Sequence, residues 1–215
     1  MRLLFIGPPG SGKGTQAKRI AAKYNIPHIS TGDILREAIR SETPVGNRAK
    51  FYVESGGLVP DDVMLDIISG RLAQPDTTNG FILDGFPRTD KQASNLYTVL
   101  GSSNRAIQAS IVFDCPNAAI VDRVCGRRVC PVCGAVYHIK YQLPKSQDTC
   151  DNDNSKLLHR SDDSEETIIK RLDKYYRELG SVTKYFISTL QKIDANQSPE
   201  TVLIEIENVI KCLGK

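Results

Sequence analysis

The stretch Gly7-Pro8-Pro9-Gly10-Ser11-Gly12-Lys13-Gly14-Thr15 constrains this chain more than any other. The apolar run Leu3 to Ile6 precedes it, and Ala17, Ile20, Ala21 and Tyr24 follow at helical spacing. Four residues separate Gly7 from Gly12-Lys13, the phosphate-loop pattern between a strand and a helix. Glycines let the backbone curl so that N–H groups converge on phosphate oxygens, and the helix N-terminus adds partial positive charge. The pattern assigns Lys13 to the β- and γ-phosphates, with Gly10, Ser11, Gly12, Gly14 and Thr15 around them. Gly14 stands where Ser or Thr usually follows the lysine. Thr15 comes one place later, so spacing alone does not put its hydroxyl at the usual Mg²⁺ position.

Beyond the loop, strand and helix patterns alternate. Residues 26–30 read as a second short strand. Ile34, Leu35, Ala38 and Ile39 predict a helix after Thr31-Gly32-Asp33. Pro60-Asp61 opens a helix carrying Met64, Ile67, Ile68 and Leu72. Residues 81–84 and 109–114 read as strands. Ala93, Leu96, Tyr97 and Leu100 mark a helix, and Pro116 opens another through about Cys125. Residues 126–163 show little helical period and read as an inserted unit. Helical pattern resumes behind Asp163-Ser164-Glu165-Glu166, with Ile168, Leu172, Tyr175 and Leu179. A last helix starts at Pro199 and carries Val202, Ile206, Val209, Ile210 and Leu213. The alternation predicts an α/β protein: a parallel, doubly wound sheet between two helical layers.

Composition agrees. The 215 residues are 40% hydrophobic and 25% charged, which suits one globular domain with insertions and excludes a disordered, collagenous or coiled-coil chain. No apolar run approaches the ~18–20 residues a bilayer span needs. Met1 to Ile6 is too short an apolar run for a signal peptide, so neither export nor a membrane partner is expected. A net charge of +3 is too mild to indicate a nucleic-acid partner.

Phe81-Ile82-Leu83-Asp84-Gly85-Phe86-Pro87-Arg88 puts a carboxylate at the C-terminal end of an apolar strand, where open α/β sheets bind ligands. Asp84 is therefore a candidate for holding Mg²⁺ through waters; the plain alternative is an Asp capping a turn. Arg36, Arg88, Arg123, Arg127, Arg160 and Arg171 fall near predicted loops or hinges. Taken alone, each is as readily a solvated surface charge. Phosphoryl transfer spreads charge over equatorial oxygens and is catalysed by positioned cations. Arg123 and Arg127, four apart, share a helix face if the helix reaches that far.

Six cysteines in a chain not expected to be exported point to reduced thiols. Cys130-Pro131-Val132-Cys133, sixteen residues, then Cys150-Asp151-Asn152-Asp153 match a zinc-ribbon spacing, with Asp as the fourth ligand. Cys130, Cys133, Cys150 and Asp153 suit a structural Zn²⁺. Asp153 is preferred because the second knuckle repeats the first; Asp151, His138 and His159 stay open as rivals. Knuckles without metal are the alternative. Cys115, Cys125 and Cys212 sit on apolar patterns and are expected in the core. Tyr175 and Tyr176 read as helix packing, His28 as structural, and His138 as hydrogen-bonded within its own segment.

These segments resemble the adenylate kinases, of the bacterial type with a long lid. The resemblance rests on the phosphate loop, Ser30-Thr31-Gly32-Asp33-Ile34-Leu35-Arg36, Gly56-Gly57-Leu58-Val59-Pro60, and Gly80 through Arg88. Asp122-Arg123, Gly126-Arg127-Arg128, Arg160-Ser161-Asp162-Asp163 and Lys170-Arg171-Leu172 continue it in the family's order over nearly the whole chain. Gly14 after the lysine is this family's own form.

The resemblance implies a five-stranded parallel sheet and reversible Mg²⁺-dependent transfer between ATP and AMP, giving two ADP. It implies a core of residues 1–29, 60–125 and 164–215, an AMP-binding domain at 30–59 and a lid at 126–163. Lys13, Asp84, Arg88, Arg123, Arg160 and Arg171 are the implied catalytic residues. Arg127, Val136, Tyr137 and Gln197 join the phosphate loop and Arg123 in binding ATP. Thr31, Arg36, Gly57, Leu58, Val59, Gly85, Phe86, Pro87 and Gln92 join Arg88, Arg160 and Arg171 in binding AMP. A zinc-lid subgroup has Cys or Asp at the place of Asp153. The family also implies a cytoplasmic monomer.

Two alternatives differ in substrate or class. A UMP/CMP-type kinase shares the phosphate loop but generally has a much shorter lid than 126–163. A zinc-ribbon nucleic-acid-binding ATPase needs a basic face, and the acidic Asp148, Asp151, Asp153, Asp162 and Asp163 in the insertion argue against one.

Overall fold

In the computed structural model, which describes residues 1–213, β1 (Arg2–Ile6) is buried on both faces. Leu3 and Phe5 enter one hydrophobic core; Leu4 and Ile6 enter the other. That two-sided burial is why β1 reads as a continuous apolar run. The chain continues through α1 (Lys13–Tyr24), β2 (His28–Ser30), α2 (Thr31–Arg40), α3 (Pro44–Glu54) and α4 (Asp61–Leu72). Then come β3 (Phe81–Asp84), α5 (Asp90–Ser102), β4 (Ala109–Asp114) and α6 (Asn117–Cys125). The rest comprises β5 (Arg127–Val129), β6 (Val136–His138), α7 (Glu165–Thr183), β7 (Leu190–Asp194) and α8 (Pro199–Cys212).

The main sheet runs β2-β3-β1-β4-β7, parallel throughout, as expected. α1, α6 and α8 pack on one face, and α2, α4 and α5 on the other. α7 joins both cores: Ile168 and Leu172 enter the first, Val182 the second. Phe5, Phe81, Phe86 and Phe113 are fully buried, each contributing about 1.5–3 kcal/mol against exposure. Within residues 126–163 a small cluster stands apart from the two main cores. There β5 and β6 pair antiparallel over Cys130, Tyr137, Cys150 and Leu157. Among the described residues, no helix is long and apolar enough to cross a membrane.

Several expectations are corrected. α6 ends at Cys125, so Arg123 and Arg127 share no helix face; Arg127 lies on β5 opposite His138. Gly126 caps the helix, and only glycine fits there, because a Cβ would stand 2.2 Å from His138 Nε2. Cys212 is exposed, because it lies off the face on which α8 buries Val202, Ile206 and Ile210; Cys125 is half-buried and only Cys115 is a core residue. Tyr176 is exposed and donates to Asn117 Oδ1 at 2.7 Å, while Tyr175 packs against the core. α2 starts at Thr31 itself, capped by Ser30, whose hydroxyl accepts from the Asp33 N–H. Neither α3 nor β7 was legible locally. α3 buries only Gly46 and Ala49, and β7, at the sheet edge, buries only Ile193.

Candidate active site and metal centre

The loop after β1 curls at the C-terminal ends of the strands. Gly10 has φ +77°, and a Cβ there would meet Val124 Cγ2 at 2.4 Å, so no L side chain fits. Lys13, the first residue of α1, turns back over this loop. Its Nζ donates at 2.7 Å to both Gly7 O and Pro8 O. Burial presses the ammonium from its ordinary 10.5 down to about 8, with Asp84 opposing the shift and Arg88 adding to it. Loop and lysine border a cleft of about 1220 Å³. That exceeds the ~300–1,000 Å³ of a single small-molecule pocket, so the cleft has room for two ligands.

Asp84 ends β3, only 8% exposed. A Cβ on Gly14 would lie 3.5 Å from its Oδ2, so the carboxylate stands beside the first turn of α1. His28 Nε2 lies 3.0 Å from the same oxygen. Sequence reading gave His28 no chemistry; the pairing of β2 with β3 brings it to Asp84 from 56 residues away.

The predicted arginines converge on this cleft. Arg88 is held by one bond, Nε to Gly85 O at 2.7 Å, and is exposed to the cleft. The surrounding walls, with Arg171 adding repulsion, lower its guanidinium to about 10, so it remains a cation at neutral pH. Arg123 Nη1 donates to Ala195 O at 2.9 Å. Arg127 grips Asp163 with two bonds, Nε to Oδ2 at 2.8 Å and Nη2 to Oδ1 at 2.5 Å. Arg171 Nη1 donates to Asp162 Oδ2 at 2.8 Å. Against its burial, Asp162 is held below the ordinary carboxyl range by Arg171 and its neighbouring arginines. The sequence reading gives Asp162 and Asp163 no arginine partner. The structure shows them as the buried anions that hold two cleft arginines.

On the side bounded by α2 and α3, Arg36 donates to Asp33 Oδ1 at 2.7 Å, and Arg160 approaches that oxygen at 4.0 Å. A narrow side cavity opens here between Thr31, Arg36, Arg88 and the Gly57–Val59 backbone. Thr31 Oγ1 donates to Gly85 O at 2.9 Å. Gln92, 2% exposed, lines the same cavity. Phe86 does not line it: its side chain is buried in the core. Pro87, Val136, Tyr137 and Gln197 line the main cleft, with the Tyr137 ring packed inside the 126–163 unit.

That unit reaches across the cleft. Lys18 of α1 donates to Gly134 O at 2.7 Å, and Arg40 of α2 donates to Pro131 O at 2.7 Å. Its root is anchored by His138: Nδ1 accepts from the Lys140 and Tyr141 N–H groups, and Nε2 lies 3.2 Å from Asp122 O.

Cys130, Cys133, Cys150 and Asp153 converge, with one donor atom from each lying within 4.8 Å of all the others. Cys133 Sγ and Cys150 Sγ are 3.5 Å apart, and Cys130 Sγ is 3.2 Å from Asp153 Oδ2. Tetrahedral Zn²⁺ with ~2.3 Å bonds needs sulfurs about 3.8 Å apart, so the set fits. Cys130 Sγ accepts from the Val132 and Cys133 N–H groups, which favours a thiolate. Hydrogen bonds from Ser155, side chain and backbone, hold Asp153 ionised well below the usual carboxyl range. The rivals lie elsewhere: Asp151 accepts from Lys145 N, His138 is engaged at the root, and His159 is outside the group.

The adenylate kinase family model matches residues 5–191. The chain belongs to the adenylate kinase family. An adenylate kinase of Clostridium novyi (strain NT) is 45% identical over 213 residues, covering 98% of this chain and 99% of that one. One from Moorella thermoacetica is 45% identical over 208 residues, 96% of each. One from Acetivibrio thermocellus is 47% identical over 186 residues, 86% of each. Neither a UMP/CMP-type kinase nor a nucleic-acid-binding ATPase is favoured by these adenylate kinase relatives.

Proposed function

We propose that this chain transfers the γ-phosphoryl group of Mg²⁺-ATP reversibly to AMP, giving two ADP. One observation carries the proposal: a family member's phosphate loop faces Arg88, Arg123, Arg160 and Arg171 across a single cleft with room for two nucleotides. A phosphate oxygen of AMP attacks the γ-phosphorus in line, and the bond to the bridging β–γ oxygen breaks. ADP leaves with that electron pair, and no covalent enzyme intermediate forms. Lys13 and the loop N–H groups hold the donor phosphates, with Arg123 and Arg127 beside them. Arg88 and Arg36 hold the acceptor phosphate, and Arg160 and Arg171 bridge the two sides. The cations supply the charge stabilisation that this chemistry rests on. Asp84 would hold the nucleotide's Mg²⁺ through water, and the ion would supply neutralisation of phosphate charge. Thr31, the Gly57–Val59 backbone and Gln92 take the AMP base, while Val136, Tyr137 and Gln197 border the ATP base.

Residues 30–59 act as the acceptor-binding domain and 126–163 as a lid. The contacts of Gly134 and Pro131 with α1 and α2 fit a lid that shuts water away from the phosphoryl group. Cys130, Cys133, Cys150 and Asp153 would hold a structural Zn²⁺, which would stiffen the lid and supply no chemistry. The protein works as a cytoplasmic monomer without nucleic acid.

A coupled assay with Mg²⁺-ATP and a panel of AMP, GMP, CMP, UMP and dTMP tests the reading. ADP forms rapidly with AMP. Preference for CMP or UMP overturns the substrate, and no transfer to any acceptor overturns the kinase reading. Lys13 adds a pH signature. In the free enzyme its ammonium is lost above about pH 8. The kcat/KM for ATP therefore falls as pH rises through 8, because kcat/KM reports the free enzyme. Bound phosphates raise the Lys13 pKa, so kcat holds to higher pH. Rate profiles from pH 6 to 10 check this; parallel profiles for both parameters remove Lys13 from the donor site.

A further inference from the structure

Asp61 opens α4 and belongs to none of the segments assigned to phosphate. Its Oδ1 accepts two hydrogen bonds, from Gln92 Nε2 at 2.8 Å and from Thr89 Oγ1 at 3.0 Å. The other end of the Gln92 amide is also held: Oε1 accepts from the Arg88 N–H at 2.8 Å. Between these anchors the amide is buried at the wall of the side cavity, near Leu35, Val59 and Met64.

We propose that Asp61 is a specificity-determining residue, which locks the Gln92 amide in the one orientation that reads a 6-aminopurine. The inference rests on the reading above that Gln92 faces the base of the acceptor nucleotide. The orientation follows from the partners. A carboxylate only accepts, and a backbone N–H only donates. Turning the amide over sets Oε1 against the Asp61 carboxylate and Nε2 against the Arg88 N–H. Two hydrogen bonds become two repulsions. The locked amide keeps one free lone pair on Oε1 and one free N–H on Nε2. Adenine offers the complement: a 6-amino donor and an N1 acceptor. A 6-oxopurine offers the reverse, an O6 acceptor and an N1–H donor, and pairs only with the overturned amide. Buried polar groups left unpaired make such a site strongly selective. Asp61 thus discriminates between purines through Gln92, without touching the nucleotide.

The test uses Asp61→Ala, Asp61→Asn and Gln92→Ala, each checked by thermal melting. AMP is titrated at saturating Mg²⁺-ATP, and inosine monophosphate is measured as a competitor of AMP. Asp61→Ala raises the KM for AMP about fivefold to tenfold, the effect of one loosened hydrogen bond, and lowers the AMP-over-IMP preference by a similar factor. Its kcat and its KM for ATP stay within about twofold, below what one hydrogen bond changes. Asp61→Asn restores the KM for AMP, because its carbonyl still accepts from Nε2. The preference stays reduced in that variant, because its amide also supports the overturned Gln92. Asp61→Ala and Asp61→Asn with unchanged preference, beside a Gln92→Ala variant that loses it, overturn the role of Asp61 alone. Gln92→Ala with an unchanged KM for AMP overturns the reading on which the proposal rests. Equal losses in every parameter, without rescue by asparagine, reduce Asp61 to a fold-supporting residue and also overturn it.

Discussion

Replacing Arg88 by alanine lowers turnover by about three orders of magnitude or more while the protein stays folded. The chemical half of this expectation comes from charge. In phosphoryl transfer the developing charge sits on equatorial oxygens, and a single well-placed arginine contributes about 10³–10⁵ in rate. Arg88 stands just past the C-terminal end of β3, two residues beyond Phe86 and four beyond the Asp84 carboxylate. It faces the same cleft as Lys13, Arg36 and Arg171. The structural half comes from its sparse anchoring. The guanidinium makes one hydrogen bond, to Gly85 O, and is exposed to the cleft. Truncation leaves the Arg88 N–H bonded to Gln92, so the turn into α5 keeps its shape. Removing a cation from a crowd of cations also relieves repulsion with Arg171. Steady-state rates in both directions, beside a melting curve, check the result. Near-normal turnover in a folded variant removes Arg88 from the catalytic set.

Removing the proposed zinc from the Cys130, Cys133, Cys150 and Asp153 group is expected to have the largest effect on stability. The apolar core of the 126–163 unit consists of Cys130, Tyr137, Cys150 and Leu157, with Ala135 against them. Two of those four, Cys130 and Cys150, belong to the proposed metal-binding set. Such a core is far too small to fold alone, and units of this size ordinarily depend on a metal or disulfides. A metal joining residues 130 to 153 closes a loop much as a cross-link does, with a contribution of about 2–4 kcal/mol. For a chain of this length that is about 5–15 °C in Tm. Asp153→Ala is therefore expected to bind zinc weakly and to melt about 5–15 °C lower, within the range of a lost cross-link. Wild-type protein never exposed to chelator carries one zinc per chain by atomic absorption. Far less than one, or a chelated protein with unchanged melting, removes the metal from the account. Turnover falls too, since Pro131 and Gly134 of the first knuckle make the contacts with α2 and α1.

What lies close along the chain was legible from the residues. The phosphate loop depends on glycines within nine consecutive positions. The knuckles depend on pairs of ligands three apart. Three of the five parallel strands, β1, β3 and β4, announce themselves as apolar runs because both their faces are buried. Local capping chemistry set the start of α7, where Ser164 accepts from the Thr167 N–H. The arginines of the candidate site were reached only through the family resemblance of the short segments that carry them, since each alone is as readily a surface charge.

The rest depended on distance. β7 pairs only with β4 and leaves most of its residues exposed, so no apolar run marks it. Arg127 lies at a spacing that suits a helix, yet α6 ends at Cys125 and Arg127 pairs with His138 in the β5–β6 ladder. His28 reaches Asp84 only because β2 lies beside β3, and Asp61 reaches Gln92 only because α4 packs on α5. Which acid holds which arginine, Asp163 for Arg127 and Asp162 for Arg171, is likewise a matter of packing. The physical reason is common to all of these. Propensity, capping and motif spacing act through neighbours on the chain. Strand order and helix packing are decided by the burial of both sheet faces at once, and only that global solution sets which distant polar groups meet.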